Sequence, residues 1–94
     1  MRIPKDVILG GKASLEKSKI YRALKKKDLI FDLFIITKPL GGSGLMEIYP
    51  SYVLYQKIYE TSDIQILGIA KGRDEAMEIV SSIAVKMVTS DWEV

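Results

Sequence analysis

Two short segments set cations beside glycines in a way that could hold an anion: Lys38-Pro39-Leu40-Gly41-Gly42-Ser43-Gly44 and Lys71-Gly72-Arg73. Each follows an apolar run, residues 29–37 and 64–70, and the second passes directly into an amphipathic helical pattern. Glycine lets backbone N–H groups approach a ligand, a helix N-terminus adds positive potential, and lysine or arginine adds full charge; together these suit phosphate or carboxylate. If the two runs are parallel strands, both turns lie beyond their carboxyl ends, where ligands bind in open α/β sheets. Lys38, Gly41, Gly42, Ser43, Gly44, Lys71, Gly72 and Arg73 therefore form the candidate binding set for a small anion of the phosphate or nucleotide type. The motif is partial. Residues 41–44 lack the spacing and terminal Lys-Ser/Thr of a Walker loop, and Gly42-Ser43-Gly44 does not complete a dinucleotide fingerprint. Asp74 and Glu75 also bring negative charge to the helix start that an anion would need. Two tight turns with solvated lysines account for the same residues.

The chain contains neither cysteine nor histidine. That excludes disulfide stapling, the common zinc sites, and nucleophile pairs or proton shuttles built on thiolate or imidazole. Catalysis would fall to carboxylates, Lys, Tyr or Ser, and the spacing of Asp32, Lys38, Ser43 and Glu47 makes no case for it. The expectation is a protein that is not an enzyme and needs no cofactor. The first residues lack the apolar stretch of a signal peptide, and no run approaches the ~20 apolar residues of a spanning helix. A cytoplasmic location with no membrane partner is expected.

Net charge is +2, yet it is unevenly placed. Residues 1–28 hold nine Lys/Arg against three acids, whereas residues 29–94 hold five against nine. A basic helical face carrying Lys19, Arg22, Lys25 and Lys26 opens a second alternative, weak nucleic-acid binding, because phosphate backbones reward such a stripe through counterion release. A solvated helix face is the favoured account of the same residues. No nucleic-acid module is recognisable, and Tyr21 falls on a different arc of the helix.

With 94 residues, 48% hydrophobic and 28% charged, the chain reads as one ordered domain. Ser14 can cap a helix over residues 14–27, with Ala13, Ile20 and Leu24 on its apolar side. Residues 29–37 are apolar on both faces apart from Asp32, which suits a strand covered on both sides. Residues 50–60 fit a helix beginning at Pro50 better than a strand, and they crowd Tyr52, Tyr55 and Tyr59 near Tyr49. Tyrosine serves either core rims or interfaces. Residues 64–70 form the second strand, in which Gly68 permits close approach, and a helix starts near Arg73 or Asp74. That last helix has a wide apolar set, Ala76, Met77, Ile79, Val80, Ile83 and Ala84 among them, wide enough to cover both the sheet and a second surface. Trp92 sits at its end as a loose tail or a hook.

The expected fold is a small two-layer α/β domain ordered α-β-α-β-α with parallel strands. The alternative is α+β, an α-β-β-β-α antiparallel meander with residues 52–59 as its middle strand. Residues 1–12 are extended or supply an extra strand. Two strands make a thin sheet, so either residues 3–9 add a third strand or two copies associate to widen the sheet or bury the last helix. The expected role is a non-catalytic binding or self-association module, with a second copy in a homodimer as the expected partner.

Overall fold

A computed structural model describes residues 3–39, 46–55 and 64–92. The elements run β1 (Ile8–Leu9), α1 (Gly11–Leu15), α2 (Lys17–Lys26), β2 (Leu33–Thr37), β3 (Glu47–Pro50), α3 (Ser51–Leu54), β4 (Ile66–Lys71) and α4 (Arg73–Trp92). The four strands form one mixed sheet in the order β1-β4-β2-β3.

The two long apolar runs do become neighbouring strands, but they are antiparallel: Leu33 pairs with Lys71 and Thr37 with Ile66. This corrects the parallel pairing. A strand apolar on both faces reports that both faces are covered, and it carries no information about direction. Both faces are indeed covered, which makes the architecture three layers instead of two. Leu33, Ile35, Ile66 and Ile69 pack with Ala13, Ile20, Leu24 and Leu54 from α1, α2 and α3. On the opposite face Ile36 and Ala70 pack with Ala76, Ile79 and Ile83 of α4.

The meander is also set aside. β2 lies between β4 and β3, and the third antiparallel strand is Glu47–Pro50, with Ile48 opposite Ile36 and Tyr49 opposite Ile35. Of the helix expected over residues 50–60, only the single turn Ser51–Leu54 is seen, and Pro50 ends β3 instead of opening the helix; residues 56–60 lie outside the described residues. The N-terminal segment adds β1, which runs parallel to β4 with Ile8 beside Gly68.

The expected helix over residues 14–27 is two helices. Glu16, at φ −117° and ψ 26°, breaks the run between α1 and α2. Ser14 is inside α1, its hydroxyl donating to the Gly11 carbonyl at 2.9 Å, and Gly10 is the residue at the N-cap position. The expected strand also starts late: Leu29 and Phe31 are exposed, and Asp32 has φ 60°.

Gly68 lies where α4 crosses the sheet. A Cβ there would stand 2.7 Å from Ile79 Cγ2 and 3.2 Å from the Ile8 carbonyl oxygen, so the glycine sets the approach of both α4 and β1. No helix among the described residues is long and apolar enough to cross a membrane. Gly68→Ala is expected to lower stability by about 1–3 kcal/mol through overpacking. Denaturant unfolding of the single variant and of Gly68→Ala with Ile79→Ala checks this: the pair should cost less than the sum of its parts.

Candidate functional site

The β4–α4 junction is tight because Gly72 takes φ 93°, a left-handed conformation that glycine adopts without a Cβ penalty. Its N–H donates to the Asp32 carbonyl at 2.7 Å, and its own carbonyl accepts from Ala76 at 3.2 Å. The start of β2 and the start of α4 are thereby stitched together. Glu75, in the first turn of α4, is directed back across the end of β4 and is buried.

There its carboxylate accepts three backbone hydrogen bonds. Lys12 N–H donates to Oε2 at 2.8 Å, and Ala13 and Lys71 N–H donate to Oε1 at 3.0 and 3.1 Å. Lys12 and Ala13 lie in the first turn of α1, whose N-terminal N–H groups have no partner within the helix. Glu75 thus caps a helix more than sixty residues away in sequence. Burial alone would raise its pKa; the donors at Lys71, Lys12 and Ala13, with the Lys12 charge, outweigh that and hold it below the ordinary glutamate value.

Gly10 is shaped by the same group. Its φ of −65° and ψ of 164° suit any residue, yet a Cβ would overlap the Glu75 carboxylate. Its N–H donates to the Ile69 carbonyl at 3.0 Å, tying the β1–α1 corner to β4.

Outside this buried knot, the Lys71 ammonium lies 3.4 Å from Glu16 Oε2 and donates to the Phe31 carbonyl at 3.4 Å. Glu16 also pairs with Lys19 at 3.6 Å. The α1–α2 corner and the segment before β2 therefore meet on one cation. Leu15, next to Glu16, and Phe31 are each 86% exposed, and Leu29, two residues before Phe31, is 78% exposed.

Of the candidate anion-binding residues, Lys71, Gly72 and Arg73 share this end of the sheet. Lys38 does not: it follows β2 at the opposite end, where its N–H donates to the Gln65 carbonyl at 3.0 Å. Gly41, Gly42, Ser43 and Gly44 lie outside the described residues. At the Lys71 end the donors proposed for an anion are already engaged, Lys71 N–H by Glu75 and Gly72 N–H by Asp32. In effect the chain supplies its own carboxylate. Among the described residues no group of His, Cys, Asp and Glu could hold a metal ion.

The basic residues of α2 are brought together. Lys19, Arg22, Lys25 and Lys26 are all exposed, opposite the buried Ile20, Ala23 and Leu24. The Lys17 ammonium sits 5.6 Å from the ring centre of half-buried Tyr21. Tyr55 is tied inward, its hydroxyl donating to the Asp28 carbonyl at 3.1 Å, and burial is the main reason its pKa is raised. Tyr52 faces solvent, whereas Tyr59 lies outside the described residues.

Sequence reading missed Gly10, Glu16 and the tertiary reach of Glu75. The Gly10-Gly11 doublet between an apolar Val-Ile-Leu run and a lysine-rich helix was the available signal for a strand-to-helix corner. No family model, curated protein or solved structure matches the chain.

Removing the carboxylate strands buried donors. Glu75→Ala should lower stability by about 2–4 kcal/mol, since charge-assisted hydrogen bonds and helix caps are lost together. The folded pKa is depressed, so Glu75 stabilises fully above its unfolded value, and this contribution fades as pH falls below about 4.3. Glu75→Gln should flatten that acid limb in urea titrations. Gly10→Ala should destabilise by overlap with the carboxylate, and a variant as stable as wild type would contradict the assignment.

Proposed function

We propose that the protein is a non-catalytic self-association module whose contact surface is the outer face of α4. The observation that carries the reading is the spread of apolar residues around this helix. Ala76, Ile79 and Ile83 are buried on the sheet, yet Met77 and Val85 remain 51% and 63% exposed on the other side. An amphipathic surface helix would place polar residues there. Ser81, exposed and midway between them in the chain, would let a second helix approach closely.

A two-fold axis near Ser81 and Ser82 would set Met77 against the partner's Val85. Antiparallel packing of the same face also brings Glu78 toward the partner's Lys86, so charge and apolar pattern agree on one arrangement. Contacts of this isologous type close at two copies. A non-catalytic role is consistent with the use made of Glu75, a buried carboxylate whose oxygens are occupied by three backbone donors.

Light scattering should return twice the 10.6 kDa chain mass. Met77→Lys with Val85→Lys should give the single-chain mass with unchanged helicity. Lys86→Glu should weaken association about tenfold, and adding Glu78→Lys should restore it. A single-chain mass for the wild type at high concentration would refute the proposal.

A further inference from the structure

We infer that the surface formed by Leu15, Leu29 and Phe31 beside α2 docks on an anionic lipid surface. This goes beyond self-association through α4 and rests on different residues. The three side chains are the most exposed large apolar groups among the described residues, at 86%, 78% and 86%. Leu15 and Phe31 come together at Lys71, which binds Glu16, the residue after Leu15, and also the Phe31 carbonyl. Leu29 stands three residues beyond the other end of α2, on the segment 28–32 that runs back to the start of β2, so the apolar groups flank the basic helix.

Exposure this high means that each side chain stands proud of the surface; none lines a groove. A protein partner would need a shaped socket for each, whereas the interfacial layer of a bilayer accepts protruding apolar groups without one. Charge selects the lipid. Residues 12–32 carry seven Lys/Arg against Glu16, Asp28 and Asp32, and Glu16 is paired with Lys19 and Lys71. Asp74, exposed at the start of α4, is the nearby acid from another element. Cations remain in excess, which matches anionic head groups. Nucleic acid would engage the same cations but leave Leu15 and Leu29 without an apolar counterpart.

The test is sedimentation of the full chain with vesicles of phosphatidylcholine alone or enriched in phosphatidylglycerol, across rising salt. Binding is expected to the anionic vesicles only and to weaken with salt. Phe31→Ser should weaken it about tenfold, from loss of one buried aromatic side chain. Lys25→Gln with Lys26→Gln should weaken it roughly thirtyfold. These positions are exposed, so circular dichroism should be unchanged. The Met77→Lys, Val85→Lys variant should still bind, separating this surface from α4. No sedimentation, equal binding to neutral vesicles, insensitivity to Phe31→Ser, or preference for RNA over vesicles would each overturn the inference.

Discussion

A buried carboxylate that must be satisfied by backbone donors organises one whole end of this molecule. Glu75 has left water, and an unpaired charge there would be expensive. Its three hydrogen bonds come from β4 and from α1, so the charge is stable only when those elements stand where they do. The dependence is mutual. At five residues α1 is too short to persist by its own hydrogen bonds, and its N-cap position, Gly10, has no side chain to offer. The cap arrives instead from α4, and α1 belongs to the tertiary fold more than to local propensity. Glycine at position 10 follows from the same carboxylate, through space and not backbone conformation.

Strand direction decides what this end of the sheet can be used for. With β2 and β4 antiparallel, the turn after β2 and the turn after β4 leave at opposite ends, and Lys38 cannot join Lys71 around one ligand. What gathers at the β4 end is the N-terminal turn of α1, the start of α4 and the segment leading into β2. Their polar groups consume one another: Glu75 takes the amides, Asp32 takes Gly72, and Lys71 spans Glu16 and Phe31. The polar interior of this end is closed, and the apolar residues are left outside.

Much of the fold was legible because it rests on side-chain pattern. The strand read at residues 64–70 and observed at 66–71, the start of α4 near Arg73 and the close approach at Gly68 follow from apolar pattern and glycine placement, whereas the N-terminal strand was one of two ways to widen a thin sheet. Direction and layer count were not legible, since an apolar run looks the same in either orientation. The break at Glu16 was hidden for another reason: residues 14–27 contain no glycine or proline to mark it, and the contact at that position, Lys71 with Glu16, comes from β4. Phe31 misled most directly. In the sequence it extends an apolar strand, whereas the positive φ of Asp32 ends that run and leaves Phe31 in solvent.

The three layers also constrain how two surface functions could coexist. α4 covers one face of the sheet, and α1 and α2 cover the other, so the basic face of α2 points away from α4. In the proposed two-fold pairing of α4, each copy therefore turns its α2 outward on the far side of the assembly. The antiparallel axis also separates the Lys71 ends. Two such sites cannot meet one flat surface together, and pairing would add no avidity there, because multivalent gain requires simultaneous engagement. A dimer of this geometry would instead present lipid-facing patches in opposite directions, a form suited to linking two surfaces more than to gripping one.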